Sequence, residues 1–130
     1  MKLVQSTLLS LAAIFSGSAF AEVMAGGLWG GTTQTEVVCY LFNVGPGSVT
    51  VSVKEVWRID TTALKVDLNN NTCNNGIKPN SGCIIGAYVP GGSAHACKFV
   101  VSPSAATIVG SMDARDANQN VLATVELRSH

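Results

Sequence analysis

Four cysteines, Cys39, Cys73, Cys83 and Cys97, constrain what this chain can fold into more than any other feature. They follow an N-terminal stretch with the layout of an export leader. Lys2 gives a positive start, the apolar run Leu8–Phe15 follows, and small residues lead to Ala19-Phe20-Ala21. Small side chains at the first and third of those positions suit a signal peptidase, which places the cut between Ala21 and Glu22. The apolar run falls short of the about 20 residues that a membrane-spanning helix needs, and Ser10 and Ser16 interrupt it. Residues 1–21 are therefore expected to be a signal peptide. An even number of cysteines in an exported chain predicts two disulfides.

Three pairings of four cysteines are possible. The chain-entropy model gives about 7 kcal/mol in total for either the nested or the sequential arrangement, so loop length does not choose. Local sequence favours the nested one. Asn74-Asn75-Gly76 and Pro79-Asn80-Ser81-Gly82 are turn chemistry that can bring Cys73 and Cys83 together. Cys39 has Val37 and Leu41 two positions away, and Cys97 has Phe99, so both cysteines should point into a core and meet there. None of the intervals between successive cysteines is the tight spacing of about two to four residues that wraps a zinc ion. Cys-x-x-Cys is absent too.

The segment from Glu22 to His130 has the size of one domain. Charged residues make up only 12% of the chain, and the formal net charge is zero. No basic stripe exists to follow a phosphate backbone, so a nucleic-acid partner is not expected. No later run is long and apolar enough to span a bilayer, so the mature chain is expected to carry no membrane span.

Residues 22–35 contain four glycines and no clear period, and read as a glycine-rich arm with Trp29 as its one large apolar group. Strand and turn patterns occupy residues 36–130. Glu36–Val44 is apolar on both alternating faces, as a central strand would be. In Ser48–Asp60, Val49, Val51, Val53, Trp57 and Ile59 share one face, and Glu55 interrupts it, which suggests a bulge or a strand end. Leu64–Leu68, Cys83–Val89, Ala96–Ser102 and a hairpin of Ala106–Ala114 with Asn120–Arg128 complete about seven short strands. In the last arm Val121, Ala123, Val125 and Leu127 are expected to face inward. No segment shows a helical period. The pattern predicts an antiparallel β-sandwich or barrel.

Asn71-Thr72-Cys73, the run Ile77–Ile85 and Tyr88-Val89-Pro90 together resemble a stretch of the immunoglobulin-like modules of the abnormal-spindle/hydin type found in bacterial exported proteins. Asn80 stands for a glycine of that pattern, Ser81-Gly82 shifts its serine, and Tyr88 replaces a phenylalanine. The resemblance implies an immunoglobulin-like sandwich with a Cys73–Cys83 clip, and it implies no activity. The order Cys39, Trp57, Cys97 is similar to that of true immunoglobulin domains, although Trp57 lies farther along and His95 stands where the corner tyrosine would be. The chain as a whole is similar to small exported proteobacterial proteins.

Residues that could carry chemistry are few. His95 and His130 are the only histidines, too few for a metal site. There is no Gly-x-Ser-x-Gly elbow, and bridged cysteines leave no thiolate. Asp113 and Asp116 flank a turn, where aspartate commonly bonds local backbone. Glu55 is the one acid of interest, and a bulge would turn it outward. The sequence therefore predicts a binding or structural module of the cell envelope, periplasmic or secreted, with no cofactor and no enzymatic activity. Its partner would be a protein or another envelope component, and candidate contacts are Trp29 and the loop from Pro90 to His95. The competing expectations are a polymerising pilin- or coat-like subunit, with residues 22–35 as a donor strand, and a small secreted enzyme.

Overall fold

A computed structural model describes residues 20–60, 62–89 and 91–130. Most of the expected leader, residues 1–19, lies outside them. Ten strands are present among the described residues: β1 (Ala21–Leu28), β2 (Glu36–Asn43), β3 (Thr50–Ile59), β4 (Leu64–Val66), β5 (Asn70–Asn71), β6 (Ser81–Tyr88), β7 (Ala94–Ser102), β8 (Ile108–Arg115), β9 (Val121–Glu126) and β10 (Arg128–Ser129). They form two five-stranded antiparallel sheets, in the orders β10-β1-β7-β3-β4 and β5-β6-β2-β8-β9. The count exceeds the expected seven because the two-residue pieces β5 and β10 and the N-terminal β1 carry too weak a pattern to be read as strands.

The sheets pack face to face through alternating side chains. Val37, Cys39 and Leu41 of β2 point inward with Ile85, Met112 and Ala114 from its neighbours. Val23, Val56, Cys97, Phe99 and Val101 meet them from the other sheet. Cys39 and Cys97 are bonded to each other with Cα atoms 6.4 Å apart. Since β2 and β7 are the middle strands of their sheets, this bond ties the two sheets at their centres. Cys73 bonds to Cys83 with Cα atoms 5.0 Å apart, closing the turn-rich loop that the sequence pointed to. Both disulfides are those of the nested pairing.

Inside that loop Ile77 is 2% exposed and exchanges two backbone hydrogen bonds with Val49, of 2.9 and 2.7 Å. The fully buried Asn43 secures the same end of the sandwich. Its Nδ2 donates to the carbonyls of Gly47 (2.7 Å) and Ile77 (3.1 Å), and its Oδ1 accepts from Gly45 N (3.0 Å) and Thr107 Oγ1 (2.9 Å). One side chain thus joins the β2–β3 turn, the disulfide loop and the β7–β8 connection.

Three expectations are corrected. Residues 22–35 are not an irregular arm throughout: residues 21–28 form β1, between β7 and β10. Val23 and Ala25 alternate into the core beneath the glycines. Gly27, at φ 75°, takes up the register shift between Ala25 and Leu28, a conformation open to a residue without Cβ. The second correction concerns β3. Its bulge falls at Ser52, between Val51 and Val53, ahead of Glu55. One extra residue inverts every side chain after it. Val56 therefore fills the core at 0% exposure, while Trp57 and Ile59 turn out with Glu55. A further shift in the β8–β9 pairing, between Ala114 and Arg115, leaves Val121 exposed instead of inward.

Candidate functional site

The crossing from β1 to β2 caps the end of the sandwich opposite Asn43. Trp29 opens this crossing and is 52% exposed, yet its indole Nε1 donates to the carbonyl of Gly91 at 2.7 Å. The crossing lies close against its neighbours. A Cβ on Gly91 would come within 2.2 Å of the Thr32 carbonyl oxygen, and one on Gly30 within 2.9 Å of Ala114 Cβ and 3.0 Å of Leu122 Cβ. Gly31, at φ 94°, makes the turn whose carbonyl accepts from Gln34 N. Thr35 then donates to Arg115 and accepts from Val89, both at 2.9 Å, which fastens the crossing to β8 and to the end of β6.

Gln34 is the hub of this end and is 2% exposed. Its Oε1 accepts from Gly30 N at 2.8 Å, and its Nε2 donates to the Ser93 carbonyl at 3.2 Å. The same amide lies 3.5 Å from His95 Nδ1. His95 is fully buried within β7, paired in register with Arg58 on one side and Leu28 on the other. Burial holds its pKa below the usual histidine value of 6.5, and the nearby Arg58 guanidinium adds to this, so the ring is neutral near pH 7.

The structure thus brings Trp29, Gly91 and His95 into one corner, as neighbours through Gln34. It separates their roles: Trp29 is at the surface, and His95 lies beneath as part of the support. The expectation of His95 as a contact residue is corrected on this point, because inward alternation on a central strand removes it from solvent. Gln34 was missed altogether. A buried glutamine leaves no period in a glycine- and threonine-rich stretch, so nothing in the sequence marks it.

Other exposed apolar groups surround this end. On the outer face of the second sheet, Tyr88 pairs with Glu36, Glu36 with Arg115, and Arg115 with Val121. Three strand spacings set Tyr88 and Val121 about 14 Å apart. Tyr88 is 70% exposed, and Leu122, against the crossing, is exposed too. Between them runs a polar lattice. Arg115 pairs with Asp113 at 3.2 Å, donates to Tyr40 Oη and to Gln119, and stacks 5.7 Å over the Tyr40 ring. Gln119 in turn donates to Glu36 at 2.9 Å. Burial pushes the Tyr40 pKa above 10.0, and Arg115 opposes that rise.

Of the acids singled out in the sequence, Asp113 lies on β8 within this lattice, accepting from Arg115 and Thr124 and not from local turn backbone, whereas Glu55 lies apart and Asp116 belongs to a local turn. Glu55 faces outward, accepts from Trp57 Nε1 at 2.8 Å and sits 3.9 Å from Lys65 Nζ. It lines a shallow groove of about 340 Å³ beside β4. Asp116 holds the β8–β9 turn by accepting from the side chain and backbone of Asn120 and from Asn118 N. Those bonds keep its carboxyl below the ordinary 3.8. Among the described residues no group of three or more His, Cys, Asp and Glu side chains is placed to hold a metal ion, and no helix is long and apolar enough to cross a membrane.

No protein-family model matches the chain, and neither a curated protein nor a solved structure matches it.

Proposed function

We propose that this chain is an exported, non-catalytic binding module of the cell envelope, periplasmic or secreted, and that it engages a protein partner through the end that carries Trp29. The observation that carries the reading is the state of Trp29: half-exposed, with its indole tied to Gly91 on a crossing that Gln34 locks. A large side chain presented in one fixed place loses little freedom on binding, and tryptophan is among the residues that dominate protein interfaces. Tyr88, Leu122 and Val121 supply further apolar surface around it.

Two disulfides belong to an oxidising compartment. The leader-like residues 1–21 agree with export, and a cut after Ala21 leaves β1 complete but for its first residue. The two-sheet arrangement with its central bridge supports an immunoglobulin-like reading of the architecture. The strand-donating alternative draws no support from β1, which fills a place in its own sheet.

The test compares three forms of the purified protein, wild type, Trp29→Ala and Trp57→Phe, in crosslinking pull-downs from envelope extract. The reading expects a protein captured by wild type and by Trp57→Phe to be lost with Trp29→Ala. An unchanged set of captured proteins with Trp29→Ala would remove Trp29 as the contact.

A further inference from the structure

The two sheets end in four edge strands, and three of them are guarded. β4 has three residues with Lys65 at its centre, β5 has two, and β10 has two including Arg128. Short or charged edges resist pairing with another chain. β9 is different. Its six residues, Val121–Glu126, contain no proline and no basic residue, and their one charge is at the last position. It is the outer strand of its sheet, so every second residue presents its N–H and C=O to the open side. A groove of about 500 Å³ runs beside it, between Thr124–Glu126 and Met24–Gly26.

From this edge we infer that β9 pairs with β9 of a second copy, joining two five-stranded sheets into one continuous antiparallel sheet across a two-fold axis. The strand suits itself as a partner. With the axis at Thr124, Thr124 faces its own copy and Ala123 faces Val125, all within the regular part of the strand beyond Leu122. No like charges oppose, and a threonine pair across strands is favourable. Opposed residues then share the same face of the joined sheet, as the two-residue period requires. The exposed Val121 and Leu122 lie at the head of the strand and gain cover from the same contact. A two-fold contact of this kind uses the one edge in both copies and closes at a dimer. The inference rests on the edge of β9; it shares Val121 and Leu122 with the surface beside Trp29 and needs no contact from Trp29 itself.

Sedimentation velocity over a range of protein concentrations tests it directly. Wild type is expected to pass from monomer to dimer as concentration rises, with no larger species. Thr124→Lys sets a bulky cation at the axis on an already exposed position, and is expected to weaken the dimer at least about tenfold. Thr124→Val keeps the strand preference and should dimerise like wild type. A wild-type protein that stays monomeric at every concentration overturns the inference, and so does a Thr124→Lys dimer as tight as that of wild type.

Discussion

The side-chain amide of Gln34 lies 3.5 Å from Nδ1 of His95, and both side chains are buried. Both are shielded from solvent almost entirely, yet between them they fix how Trp29 is presented. Gln34 accepts from Gly30, the neighbour of Trp29, and donates to Ser93, two residues before His95. The crossing is therefore held to the second residue of β7 by one uncharged side chain.

Gln34→Ala should test that coupling. It leaves Gly30 N–H and the Ser93 carbonyl without their partner, at a cost of about 2–3 kcal/mol in chemical denaturation. The indole of Trp29 should become more mobile, seen as lower fluorescence anisotropy in a Trp57→Phe background. A loss below about 0.5 kcal/mol would mean that Gln34 does not hold the crossing.

His95 gives the domain a pH dependence. Its folded pKa is lowered chiefly by burial and further by Arg58, with the hydrogen bond to the Ser93 backbone and the charge of Asp60 opposing, whereas the unfolded ring titrates near 6.5. The unfolded chain therefore binds the proton more readily. Stability should be full above about pH 6.5, fall as the pH drops toward the folded pKa, and level off below it. His95→Asn should flatten the profile in that window while leaving the acid loss below pH 4, which comes from carboxylates such as Asp116. Urea midpoints measured from pH 7.5 to 4.5 in both proteins check the sign.

The bulge at Ser52 makes an unusual ranking of substitutions. Val56 is fully buried and Trp57 is not, so Val56→Ala should cost about 2 kcal/mol and Trp57→Ala less, although tryptophan is much the larger side chain. The opposite ranking in denaturation midpoints would place the bulge elsewhere.

These positions show what could be read from the chain alone. The turn chemistry between Cys73 and Cys83 and the inward alternation around Cys39 and Cys97 carried the disulfide pairing, because each is a local pattern. The doubly apolar Glu36–Val44 marked β2, which is the middle of its sheet. Glu55 announced a bulge but not its position, since Ser52 and Val53 satisfy either alternation. The strand β1 was hidden because glycine leaves no side chain to show a period, and only Val23 and Ala25 carry it. Trp29 was visible by size. Gln34 and Asn43, the two buried amides that secure the ends, were invisible, because each also bonds to groups distant in sequence, Ser93 for Gln34 and Ile77 and Thr107 for Asn43.

Asn43→Ala should be among the most damaging single changes outside the cysteines. Four hydrogen bonds converge on this buried amide, and removing it strands groups from three separate loops, for a loss of about 2–4 kcal/mol. Asn43→Asp keeps the acceptor and loses both donor bonds, so it should destabilise as well. Thermal unfolding of both variants gives the comparison, and a wild-type melting temperature for Asn43→Ala would contradict the role.

The packed core and the fixed corner around Trp29 both depend on one cross-link between the middle strands of the two sheets. Peptide mapping of natively purified protein, digested without reduction, reads it directly. The expected peptides are joined as Cys39 to Cys97 and Cys73 to Cys83, with no free thiol. Peptides joining Cys39 to Cys73, or four unbridged cysteines, would contradict it.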